Sequence, residues 1–209
     1  HAARLGIDVV SDGEYGKAFS WSQYMLDRIS GFEPRPVATS AHPFSRGADR
    51  ARFKEFYATI EGAELQSYVR TDWVCTGPVR YTGMAELQRD LANFKAALAA
   101  VHVEEAFLPV AAPASAIPDR KNEYYPTDEA CMQAIADALH EEYKAIVDAG
   151  FLLQIDDARA AVTYDRMVPP GTLGDFRRWL EIHTEALNRA LEGIPQEKIR
   201  YHVCWGSWP

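Results

Sequence analysis

The chain has 209 residues, of which 47% are hydrophobic and 25% charged, with a formal net charge of −8. That is the composition of a globular fold, one large domain or a piece of a larger one. An acidic chain with no Lys/Arg stripe excludes nucleic acid as a general partner, and the absence of any run of about 18 apolar residues excludes an apolar membrane span. Cys75, Cys131 and Cys204 cannot all pair and show no disulfide framework, which points to a reducing, cytoplasmic setting.

His1-Ala2-Ala3-Arg4 has neither an initiator Met nor the layout of a signal peptide. It reads as the tail of a helix feeding Gly6, so the chain is expected to begin and end inside a larger fold. Residues 7–11 predict a strand running into a polar turn, Asp12-Gly13-Glu14-Tyr15-Gly16. The stretch 31–45 carries Pro34, Pro36 and Pro43 and reads as an excursion or hairpin. A helix is predicted over 49–57 and a strand over 73–76, the latter broken by Gly77-Pro78. Leu87, Leu91, Phe94 and Leu98 recur at helical spacing and predict a helix over 84–100.

Residues 106–111 predict a further strand. Thr127 reads as the N-cap, with Asp128 and Glu129 in the first turn, of a helix ending at Gly150. A buried strand over 151–155 runs into Asp156-Asp157, a helix covers 175–191, and a strand over 199–205 closes the pattern. Strand–helix alternation of this kind implies parallel βαβ units. Glu14, Asp156 and the pair His202/Cys204 all fall late in their strands, where (β/α)₈ barrels carry their chemistry. Gly13 and Gly16 do not make the phosphate-loop fingerprint of a doubly wound sheet. The expected fold is therefore an α/β TIM barrel, with residues 1–209 forming a single, partial barrel domain of about five strands.

The closing strand is the sharpest chemical signal. Alternate residues of a strand share a face, so His202 and Cys204 lie together, opposite Tyr201, Val203 and Trp205. Their Cα atoms stand roughly 6.5–7 Å apart, which suits a nitrogen and a thiolate converging on one Zn²⁺ at about 2.0 and 2.3 Å. Two ligands do not complete such a site.

Four segments, Val10-Ser11-Asp12-Gly13-Glu14, Thr76-Gly77-Pro78-Val79, Leu153-Gln154-Ile155-Asp156-Asp157 and His202-Val203-Cys204, occur in the order found in the cobalamin-independent methionine synthase catalytic barrel and its zinc-dependent thiol methyl- and alkyltransferase kin. The chain resembles that family from Ile7 to Trp205. The resemblance implies strands two to six of the barrel, with the first strand before His1. It implies zinc held by His202 and Cys204, the remaining Glu and Cys ligands and the catalytic histidine lying beyond Pro209. It also implies that Glu14 and Asp156 hold the α-amino group of homocysteine. The family has Pro two residues after that Asp; this chain has Ala158.

The implied reaction transfers a methyl group from 5-methyltetrahydrofolate, as its polyglutamate, to homocysteine. A free thiol titrates near about 8.5 and is a poor nucleophile until a metal deprotonates it. Two rival readings share the fold: zinc-dependent alkyl transfer to another thiol, of the epoxide–coenzyme M type, and a barrel that binds a small ligand without catalysis. A structural reading of Asp156 would pair it with Arg159. Cys75 and Cys131 read as buried apolar residues. His42, His102, His140 and His183 read as surface or packing residues, Trp21, Trp73, Trp179 and Trp208 as core or barrel-top aromatics, and Glu141-Glu142 as a solvated helix face.

Overall fold

A computed structural model describes residues 2–17, 21–36, 47–64, 71–117 and 120–204. His42, Trp205, Trp208 and the stretch 37–45 of the Pro-rich excursion lie outside the described residues, as does the side chain of Trp21. In chain order the elements are β1 (Val9–Ser11), α1 (Trp21–Leu26), β2 (Phe32–Pro36), α2 (Ala48–Arg52), α3 (Lys54–Glu64), β3 (Thr71–Cys75), α4 (Met84–Leu98) and β4 (Glu105–Ala111). They continue with α5 (Pro113–Ala116), β5 (Lys121–Asn122), α6 (Asp128–Asp148), β6 (Leu152–Asp157), α7 (Arg159–Met167), α8 (Leu173–Ala190) and β7 (Ile199–Val203).

Among the described residues the strands form two sheets. The larger is parallel, in the order β1-β4-β6-β7, and the smaller has the order β2-β3-β5. This corrects the expected five-strand barrel segment: the strand at 73–76 exists, as β3, but pairs antiparallel with β2 and parallel with β5. The reason is a backbone contact. Gly31 adopts φ 93°, and its carbonyl accepts the N–H groups of Thr76 and Gly77, folding the Thr76-Gly77-Pro78 turn back onto β2. A Cβ at Gly31 would meet the Gly77 carbonyl oxygen at 2.8 Å, so only glycine fits there. β1 consequently abuts β4 directly, Val9 opposite Glu105 and Ser11 opposite Phe107.

Helices cover one face of the parallel sheet. Leu153 and Ile155 of β6 have no exposure and pack with Ile135, Leu139, Tyr143 and Ile146 of α6, each such burial contributing about 1.5–3 kcal/mol. α6 begins as expected, the Thr127 hydroxyl accepting the Ala130 N–H, and ends before Gly150 at φ 95°. The Tyr143 hydroxyl donates to the Ala111 carbonyl at 2.6 Å, tying α6 to the C-terminal end of β4. α8 has a capping box in which Thr172 and Asp175 satisfy each other's backbone.

Glu142 is the second correction. It is not on a solvated face but completely buried, because Ile135, Leu139, Glu142 and Ile146 fall on one helical stripe. Its carboxylate accepts the Tyr24 hydroxyl at 2.6 Å, and the Arg28 guanidinium lies 3.8 Å away. The single helix expected over 49–57 is two helices, broken at Phe53.

Candidate functional site

Register divides the polar residues of β6 and β7 between two faces. Asp156 stands opposite His202, and Asp157 opposite Val203. Side chains of paired residues in a parallel ladder point the same way. Gln154, Asp156 and His202 therefore share the face away from the helices, while Ile155 and Asp157 face the helices.

On the helix-free face, the Asp156 carboxylate accepts the Gln154 amide at 2.9 Å and holds His202 Nδ1 at 2.8 Å, both through Oδ1. Asp156 is 29% exposed at its side chain and His202 52%, so the pair is open to a ligand. The Cys204 N–H donates to the Asp157 carbonyl at 3.2 Å, carrying the ladder one residue past the end of β7. Cys204 thereby stays on the face of His202, half-buried and with a free thiol. The Arg200 guanidinium stacks over the Phe107 ring, 4.0 Å from its centroid, and forms the floor of this face.

The opposite face shows why Asp157 is structural. Its Oδ1 accepts the Ser115 hydroxyl and the main-chain N–H groups of Arg159 and Ala160, so it caps the first turn of α7, which Ala158 enters directly in helical conformation. Its Oδ2 accepts the Tyr201 hydroxyl at 2.8 Å, and burial with that neighbouring carboxylate pushes the phenol above its ordinary pKa.

Glu14 follows the C-terminal end of β1, with Lys17 as its side-chain partner. Among the described residues it is the one non-glycine with positive φ, at 57°, in a turn where its N–H is bound by the Asp12 carboxylate. A glutamate in the left-handed region is uncommon. Its carboxylate is engaged by Lys17 Nζ at 2.6 Å, and the same ammonium donates to the Pro109 carbonyl of β4 at 2.8 Å. Lys17, whose side chain is 8% exposed, was missed by the sequence reading. Its position three residues after Glu14 was the available signal.

His140, His183, Cys75 and Cys131 follow the packing reading, and His102 is an exposed surface residue. His140 Nδ1 meets the Ala190 carbonyl, and His183 stacks on Trp179 with ring centroids 3.9 Å apart. Cys75 and Cys131 are fully buried, and burial together with Cys75 pushes the Cys131 thiol up to about 12.

The parallel sheet, its helical cover and the polar residues at C-terminal strand ends define an α/β fold of the kind from which barrel enzymes are built. No protein-family profile matches the chain. It is similar to the methionine synthase of Pyrococcus furiosus, at 23% identity over 209 residues, covering 98% of this chain and 48% of that protein. In structure it is similar to a B12-independent methionine synthase from a Shewanella species solved in complex with selenomethionine. That likeness has a TM-score of 0.64 at 20% identity and covers 98% of this chain and 48% of the other. The resemblance carried by the sequence motifs is thus found again in sequence and in fold. The chain spans about half the length of the relatives it matches, 48% in each case.

The resemblance carried by the sequence motifs implies a zinc ion. The donor chemistry here fits that ion: an imidazole whose Nδ1 is held by a carboxylate and whose Nε2 has no partner among the described residues, and a thiol two residues on along the same face. Among the described residues no group of three or more His, Cys, Asp or Glu stands together as a complete metal site. Among the described residues, too, no helix is long and apolar enough to cross a membrane.

Proposed function

We propose that residues 1–209 are one domain, part of a zinc-dependent transferase barrel acting in the cytoplasm, and that it transfers a methyl group from 5-methyltetrahydrofolate to the sulfur of homocysteine. The single observation that carries this reading is the meeting of Asp156 with His202 on the open strand face, beside Cys204, in a chain similar to methionine synthases.

His202 Nε2 and Cys204 Sγ are the two ligand atoms this chain would offer to zinc. Zinc bound there would supply a positive centre that keeps a substrate thiol deprotonated at neutral pH. Asp156 Oδ2 and the Glu14 carboxylate hold the substrate ammonium by charge-assisted hydrogen bonds. The strained turn at Glu14 fits such a role, since strained backbone gathers at ligand clamps. Substrate sulfur attacks the methyl carbon, the S–C bond forms as the C–N5 bond breaks, and the electron pair left on N5 takes up a proton from a general acid. The strand ends contribute orientation, holding thiol and methyl donor in line.

Calorimetric titration of the zinc-loaded chain with homocysteine tests the reading. Binding is expected, with Glu14→Gln and Asp156→Asn each weakening it by about tenfold or more, the loss expected for a hydrogen bond to a charged group. Failure of homocysteine to bind, while coenzyme M or another thiol does, would assign the site to a different acceptor.

A further inference from the structure

We propose that Asp156 is a positioning residue for His202 as well as an ammonium partner, one oxygen serving each task. This rests on the reading of His202 as a zinc ligand. Oδ1 receives both the Gln154 amide and His202 Nδ1, whereas Oδ2 has no such partner among the described residues. A carboxylate only accepts, so the hydrogen of the pair resides on Nδ1 and the Nε2 lone pair is left outward. Free neutral imidazole prefers the opposite tautomer, so the carboxylate selects the form that can ligate through Nε2. A ligating histidine whose other nitrogen is held by a carboxylate is the usual outer-shell arrangement around zinc.

The geometry sets this bond apart from an incidental surface pair. Asp156 and His202 are direct partners in the β6–β7 ladder, so the two side chains meet without a search through long, flexible rotamers. Gln154, two residues earlier on the same face, holds the same oxygen, Oδ1, and so helps to fix the carboxylate. The consequence is coupling. A substrate ammonium on Oδ2 and an imidazole on Oδ1 share one carboxylate group, so amino-acid binding and metal binding sense each other through it.

The test uses the whole chain with ¹⁵N-labelled imidazoles and no metal. The His202 nitrogen shifts are expected to report the Nδ1–H tautomer in the wild type, a switch toward Nε2–H in Asp156→Ala, and recovery in Asp156→Asn, whose amide oxygen still accepts. Cobalt titration against a competing chelator, followed by the thiolate-to-cobalt absorption of Cys204, is expected to show affinity about 10–100-fold weaker in Asp156→Ala and largely restored in Asp156→Asn. An Nε2–H imidazole in the wild type overturns the proposal even if Asp156→Ala does not fold. Equal cobalt affinity and an unchanged tautomer in Asp156→Ala overturn it too. If the wild type shows no thiolate band, and Cys204→Ala changes nothing, it is the zinc reading that fails, and the tautomer result still decides the role of Asp156.

Discussion

The Tyr24 hydroxyl donates to a carboxylate that no solvent reaches, Glu142, at 2.6 Å, and so fastens α1 to the inner stripe of α6. The Arg28 guanidinium lies over the Tyr24 ring, 3.8 Å from its centroid, and is shared between Glu142 and Asp90 of α4. Three helices therefore depend on one buried ionic cluster. Removing Glu142 takes away the acceptor of the Tyr24 hydroxyl and leaves Arg28 to Asp90 alone, which costs about 1–3 kcal/mol for a buried polar group left without its partner. Glu142→Ala is expected to lose stability on that scale in urea unfolding, with Glu142→Gln losing less because its amide oxygen still accepts the phenol. A loss below about 1 kcal/mol would place the cluster in the range of an exposed pair.

Asp157 and Tyr201 make a graded pair of tests. Tyr201→Phe deletes one hydrogen bond and is expected to cost about 1 kcal/mol. Asp157→Ala also uncaps α7 and leaves the Ser115 hydroxyl without its acceptor, so about 2–3 kcal/mol is expected. Hydrogen exchange separates them: the Arg159 and Ala160 amides should exchange faster in Asp157→Ala and be unchanged in Tyr201→Phe.

His183 makes stability depend on pH with a definite sign. Burial of its ring on α8 pulls its pKa from 6.5 down to about 4, against the opposing hydrogen bond to the Trp179 carbonyl. The unfolded chain therefore takes up a proton that the folded chain refuses as pH falls through this window. The contribution is complete above 6.5 and is lost progressively down to about 4. Its size is on the order of 1–2 kcal/mol once solvent screening is allowed for. Subtracting the pH profile of a His183→Phe variant, whose ring keeps the stack on Trp179, isolates this slope. Parallel profiles for the two proteins would show that His183 does not carry it.

The three thiols should react in a fixed order. Cys204 is half-buried, while Cys75 and Cys131 have no exposure and the Cys131 thiol stays protonated at neutral pH. Iodoacetamide followed by peptide mass analysis is expected to label Cys204 alone in the folded chain, and zinc to slow that labelling. Label on Cys131 without denaturant would contradict the packing around α6.

Periodicity made much of this fold legible. Leu87, Leu91 and Phe94 of α4, and the apolar run entering Asp156, behave as their spacing predicts. What escaped depends on tertiary partners. The residues at 73–75 do form a strand, but only the Gly31 backbone decides which sheet receives it. Glu142 is a charge on an apolar stripe, and Tyr24 and Arg28, which make it tolerable there, are far away in sequence. α7 went unread because the carboxylate that caps it is Asp157 of the preceding strand. At the site, strand alternation put His202 and Cys204 on one face but could not say that Asp156 would sit opposite His202. That is a matter of register between strands.

β1 lies against β4, while β2 and β3 belong to a second sheet apart from the strands that carry Asp156 and His202. Variation confined to β2 and β3 therefore leaves untouched the ladder that sets Asp156 opposite His202.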